Sequence, residues 1–395
     1  MSFVPPSIDE RPDLTPAALQ ALRGDFLYFN VAGSGPTFPV AQRAAERFRG
    51  WLSEVGMFSH VGYAEYNAAL DATRSDVAAA LGDPGGASRV ALTQSATEGL
   101  NTLVAGLAIP ARSLIVTTLE EHGSALYPLH RRAELGDQLR EIAWHRDGAR
   151  LLEEVRGAMR DGARALLISL VSCKSGDVLP VREACGLARE AGASSIVDAA
   201  QALGQVPVDV GDLGADAVVL LGHKWLHGPL ATGAIWVRAL ELFGPTRLGW
   251  RSRLALPKGS PDYNPDATRY ETGTVDAGAF VGLRQTLLVH DHLGPWVSDR
   301  VRALRERLIE RLGELPFALR STPSAPTGIV VVEPRGGDVG ALVQRMWEQE
   351  RIVVKLLDEP EMPQAIRISF WALHLEQDIE RLAAAFARQV AVGVS

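Results

Sequence analysis

Cysteine is nearly absent. The 395 residues hold two, Cys173 and Cys185, which excludes a disulfide framework and any multi-cysteine zinc or iron–sulfur site. No apolar run reaches the roughly 18 residues of a membrane-spanning helix. The best candidate, TLVAGLAIPARSLIVTTL, is broken by Pro110 and Arg112. Positive charge is not in excess: 40 basic against 47 acidic residues leave −7. That argues against non-specific nucleic-acid binding and gives an anionic membrane surface no hold. The start, MSFVPPSIDERPD, lacks the basic segment and apolar run of a signal peptide. Internal repeats and low-complexity segments are also missing. A cytoplasmic globular protein is the expectation. Apolar residues make up 47% and charged residues 22%, enough to build a large core without a disulfide or metal staple.

What is present is an alternation. From residue 88, short β-branched runs are each followed by a helical run: RVALT, SLIVTT, LREIAW, ALLISLV, SSIVD, AVVLL and GAIWV mark the strands. Continuous apolar strands between amphipathic helices predict an α/β fold with a mostly parallel sheet covered on both faces. Helices are expected before it, over 40–55 and 63–82. A loop-rich stretch, about 245–275, is long enough to be functional or interfacial. Beyond it, two helices over about 280–313, strands TGIVVVE, RIVVKLL and AIRISF, and a final helix LEQDIERLAAAFARQV predict a smaller α+β unit. The expected division is an arm at 1–24, a large α/β domain at 25–255, and an interface loop with a small C-terminal domain at 256–395.

In an open parallel sheet, ligands bind beyond the carboxyl ends of the strands. Asp198 ends SSIVD, with Gln201 just after it, and Gly222-His223-Lys224 follows AVVLL. Both leave the same sheet edge, so Asp198 and Lys224 can converge. A lysine and an acid facing one ligand are what pyridoxal phosphate (PLP) chemistry requires: an amine for the Schiff base, a carboxylate to keep the pyridinium protonated. The lysine pKa, ordinarily about 10.4, must then be depressed by burial or nearby positive charge. The plain alternative is a turn acid and a solvated loop lysine. Ser95-x-x-Glu98 reads as a capping box, and the helix start it marks suits an anion such as phosphate. His122 follows SLIVTT, where an imidazole could stack on a flat cofactor or move protons. Arg367, among apolar neighbours in AIRISF, needs an acidic partner: a substrate carboxylate, or an internal salt bridge. Cys173 stands at another strand end; Cys185 reads as core.

These residues resemble a family. SIVDAAQALGQVPVDV followed by VVLLGHKWLHGPLATGAIWV is similar to the PLP-binding core of the class V aminotransferase and cysteine desulfurase group, which has the fold type I architecture of PLP-dependent transferases. ATEGLN resembles its phosphate loop, EEH at 120–122 its stacking-histidine segment, and RYETGT at 269–274 the segment whose threonine reaches the neighbouring subunit. The resemblance implies that Lys224 holds PLP, that Asp198 contacts the pyridine nitrogen and Gln201 the phenolic oxygen, and that His122 stacks on the ring. It implies that Thr97 and His223 bind the phosphate, with Ala96 beside them in the cofactor site. Thr274 would bind the phosphate across a homodimer interface. Arg367, with Asn30, would bind the substrate carboxylate.

TRLGWRS (246–252), YFNVAGSGPTFP and VGMFSHVGYAEYNAAL resemble the cystine/cysteine C–S lyase branch. Desulfurases carry a catalytic cysteine before the carboxylate arginine, and the corresponding stretch here, IVVKLLDEPEMPQAI, has none. Leu221 replaces a common hydroxyl residue, Cys173-Lys174 stands where others show Asn or an aromatic, and Lys355 where lyases often have arginine. The expected activity is therefore β-elimination of cystine or cysteine to pyruvate, ammonia and a (per)sulfide. The alternatives are an aminotransferase, a cysteine desulfurase and an isopenicillin N epimerase-like racemase.

Overall fold

The computed structural model describes residues 25–253, 263–359 and 362–392. The expected arm at 1–24 and part of the loop-rich stretch lie outside them.

Every strand predicted from the alternation is present in one seven-stranded sheet. Its order is Val90–Thr93, Gly233–Val237, Ala217–Leu221, Ser194–Asp198, Ala165–Ser169, Leu114–Thr118 and Gln138–Ile142. Only Gly233–Val237 runs against the others. The ends Thr93, Thr118, Ser169, Asp198 and Leu221 consequently share one edge. The central strands are buried along their whole length because both faces are covered. Along Ala217–Leu221, Val218 and Leu220 enter one core, while Ala217, Val219 and Leu221 enter the other. Helix Ala96–Gly106 packs into the second core through Leu100, Leu103 and Val104. Truncating such a leucine to alanine costs roughly 2–5 kcal/mol.

The smaller sheet is antiparallel, in the order Lys355–Leu357, Ala365–Ser369, Ile329–Pro334, Phe317–Leu319. Helices Trp296–Gly313 and Glu376–Val392 pack together beside it, and Phe317 meets Phe386 edge to face at 5.3 Å. One expectation fails here. RIVVKLL is not a single strand. Ile352–Val353 pairs in parallel with Leu27–Tyr28, and Lys355–Leu357 joins the small sheet. The chain changes partner at Val354, which brings the segment after Tyr28 to the end of Ala365–Ser369, where Asn30 bridges Ser369.

The loop-rich stretch is anchored by charge. Glu271 and Arg74 are 5% and 3% exposed and meet at 2.7 Å. Glu271 also accepts from the backbone of Leu92 at 3.0 Å and pairs with Arg251 at 3.3 Å. Among the described residues no helix is long and apolar enough to cross a membrane.

Candidate active site

A cavity of about 400 Å³ opens at the shared strand edge. Lys224, Asp198, Gln201, His122, Thr97, Ala96, His223, Arg367 and Asn30 all line it. Thr274 does not; it is exposed, just before helix Ala277–Leu293.

Lys224 stands on the turn after Ala217–Leu221. Burial pulls its pKa down, helped by Arg367 and opposed by Asp198 and Cys173. Its turn is held from behind: Gly35 donates its N–H to the carbonyl of His223 at 2.8 Å. A Cβ at position 35 would lie 2.2 Å from the Lys224 carbonyl oxygen, so only glycine lets this loop approach. Asp198 is buried, accepts from the Ala200 N–H at 2.8 Å, and is pushed above the usual carboxylate range by burial. Gln201 is fixed end for end. Trp225, a donor only, gives its indole N–H to Oε1 at 2.8 Å, and Nε2 donates to the Ala32 carbonyl at 3.0 Å. One amide N–H remains for the cavity.

The helix at Ala96 is capped by Ser95 as the box predicts, but the return bond goes to Gln94, one residue further back. Ser95 Oγ accepts the Glu98 N–H at 3.1 Å, and Glu98 reaches back to the Gln94 N–H at 2.7 Å. The first N–H groups of this helix face the cavity through Ala96 and Thr97, where an anion is favoured. His122 caps the next helix: its Nδ1 accepts the Ser124 N–H at 3.1 Å. Nδ1 also lies 2.9 Å from Ser124 Oγ, itself 2.8 Å from Thr97 Oγ1. Burial, then Lys224 and Arg367, hold the imidazole pKa down, so it is neutral with its proton on Nε2. His223 Nδ1 is buried with no hydrogen-bond partner among the described residues.

Arg367 is 7% exposed on the central strand Ala365–Ser369. Nη1 donates to the Cys173 carbonyl at 3.1 Å and Nη2 to Asn30 Oδ1 at 3.4 Å, while Nε is unpartnered. Among the described residues no carboxylate pairs with it at salt-bridge distance, so the internal ion pair weighed from sequence is absent. A buried guanidinium with only neutral partners is built to receive an anion. Cys173 also lines the cavity; burial raises its thiol to about 11, which keeps it protonated and a poor nucleophile. Cys185 is buried core, as expected.

The model of the family described as Aminotransferase class-V matches residues 27–382. The chain belongs to this family. A cysteine desulfurase of Klebsiella pneumoniae is 28% identical over 361 residues, covering 87% of this chain and 88% of that one. An isopenicillin N epimerase of Streptomyces clavuligerus is 28% identical, covering 76% and 79%. Two solved structures share the fold. A C-DES variant with glycine covalently linked to its PLP cofactor has a TM-score of 0.87 at 24% identity, covering 95% of this chain and 99% of that chain. The cystine C–S lyase C-DES with cysteine persulfide has a TM-score of 0.83 at 24% identity, covering 93% and 99%. The fold type I architecture expected from sequence is thus the one observed.

Within this class V frame, sequence reasoning left several groups unassigned. Ser95, Ser124, Ser169 and Gly33 line the cavity as well. Behind it, Glu121 is fully buried and accepts from Ser169 and Thr118. The signal in the sequence is slight: acids beside the hydroxyl-rich runs VTTLEEH and LVSCKSGD, which supply the donors a buried acid needs.

Proposed function

We propose that this protein is a PLP-dependent enzyme that cleaves the C–S bond of cystine, cysteine or a related sulfur amino acid by β-elimination. The observation carrying this reading is the convergence of Lys224, Asp198 and Arg367 on one cavity that holds no activated thiol.

The residues present fit the cofactor. The orphaned His223 Nδ1 and the helix start at Ala96 and Thr97 suit a phosphate. Asp198 suits a ring nitrogen, the free N–H of Gln201 a phenolic oxygen, and His122 a ring face. Lys224 would hold the aldehyde carbon through Nζ. When bound, PLP supplies a sink for the electron pair released at the substrate Cα. Arg367, with Asn30 beside it, orients the substrate by its carboxylate. Lys224 Nζ, whose hold on its proton burial weakens, takes the Cα proton as general base. Asp198 keeps a proton at the ring-nitrogen end. The Cβ–S bond breaks with its electron pair on sulfur, which leaves as thiolate or persulfide; hydrolysis of the remainder gives pyruvate and ammonia. Cystine is favoured over cysteine because a persulfide is the better leaving group. Thr274, exposed and outside its own cavity, is assigned to the site of a second copy in a homodimer.

Desulfuration is the second reading, favoured by the presence of Cys173 in the cavity and by the curated relatives. It needs a thiolate nucleophile, which burial of Cys173 opposes. Incubation of the PLP-loaded protein with cystine, and separately with cysteine, whose free thiol desulfuration needs, decides between them. Pyruvate and persulfide formed in equal amounts are expected. Alanine with sulfur passed to an acceptor would establish the desulfurase reading instead, and keto acid or enantiomer exchange the transaminase or epimerase readings.

A further inference from the structure

Glu121 has no part in the chemistry above, yet its placement is costly. It lies between the strand Leu114–Thr118 and the helix begun by His122, with 0% of its surface exposed. Its carboxylate accepts the Ser169 N–H at 2.9 Å, the Ser169 hydroxyl at 2.5 Å and the Thr118 hydroxyl at 2.8 Å. Among the described residues no cation pairs with it at salt-bridge distance. A neutral glutamine could join these strands without burying a charge. The neighbouring Glu120, also buried, is different: it takes Ser172 and Ser175 and has Lys174 within electrostatic range.

What Glu121 touches leads into the active site. Ser169 ends its strand directly beside Asp198, its register partner on the adjacent parallel strand, and lines the cavity. The next residue in the chain is His122. We propose that Glu121 is a positioning residue for the cofactor site: through Ser169 it fixes the strand end beside Asp198, and its negative charge raises the proton affinity of the cofactor held there, its imine end included. This rests on the PLP reading. The charged groups that bear on the pair are few. Glu121 feels Asp198, and Asp198 feels Lys224. Lys224 in turn feels Asp198, Cys173 and Arg367. His122, on the same segment, feels Lys224, Arg367, Glu359 and Lys174. Burial raises Glu121 to about 7, so its charge is fully developed only on the alkaline side of neutrality.

The test is a pH titration of the visible absorbance of the PLP-loaded protein, run beside thermal melting. In Glu121→Gln the midpoint is expected to fall by about half a pH unit or more. Glu121→Asp, which keeps the charge, is expected to recover part of the shift. Ser169→Ala removes the bridging hydroxyl alone and is expected to move the midpoint the same way by less; it carries the test if Glu121→Gln does not fold. Uptake of PLP with an unmoved midpoint in both neutralising and bridge-removing variants would overturn the proposal alone. A wild-type protein that takes up no PLP would overturn the cofactor reading and this proposal with it.

Discussion

Trp225 donates its indole N–H to Oε1 of Gln201 at 2.8 Å, and this bond decides which end of the amide meets the cavity. Trp225 is fully buried, so the orientation is set from inside the core. Gln201→Glu would keep the acceptor for Trp225 but remove the donor used by Ala32 and the cavity. A lost buried hydrogen bond and a misplaced charge cost about 1–3 kcal/mol. PLP affinity is expected to fall by roughly tenfold to a hundredfold, read by equilibrium dialysis.

Arg367 presents to the cavity a planar fork whose Nε has no partner among the described residues. Arg367→Lys keeps the charge and loses the fork. The substrate KM is expected to rise by about tenfold or more, with kcat changed less. A loss confined to kcat would mean that Arg367 does not hold the ground-state carboxylate.

The Arg74–Glu271 pair is buried on both sides. Glu271→Ala would leave Arg74 with Asp71 alone at 2.5 Å and the Leu92 N–H without its acceptor. Removing one partner of a buried pair is expected to cost on the order of 3 kcal/mol. The shift in urea midpoint measures it.

Stability is expected to fall in acid. His227 and His290 pack around Trp371 at 4.6 Å and 5.1 Å, and burial holds them at about 3 and about 4, below their ordinary 6.5. The unfolded chain therefore takes up protons that the folded one refuses as pH drops from 6.5 toward 4. Glu121 works in the opposite sense: raised from 4.5 to about 7, it contributes stability below 4.5 that is lost as pH rises through 7. Denaturant unfolding at pH 7.5 and 5.0 should show a net loss at the lower pH, steeper in Glu121→Gln. A flat profile in Glu121→Gln, where the opposing carboxyl is gone, would mean that the two imidazoles are not held neutral.

The sheet was legible because its strands are buried on both faces. ALLIS, SSIVD and AVVLL carry no alternation to confuse with a surface, and Ser95-x-x-Glu98 announced its helix. The polar residues after those strands gave most of the cavity lining. What escaped reading is what depends on distant contact. Leu27–Tyr28 is too short to show a period, and the change of partner at Val354 leaves no mark within RIVVKLL. Glu120 and Glu121 look like any surface acids until the serines of another loop are folded against them. That Arg367 meets no carboxylate at salt-bridge distance among the described residues is a property of its surroundings, which no spacing reveals.

Gly35 gives the site a dependence that its lining does not suggest. With the backbone at 35 packed on the carbonyl of residue 224, the entry segment and the lysine turn share one close contact. That segment is tied down by the two-residue ladder at Leu27–Tyr28. Loosening that ladder, which lies just before Asn30 of the cavity lining, would shift the lysine turn while leaving every residue around it intact.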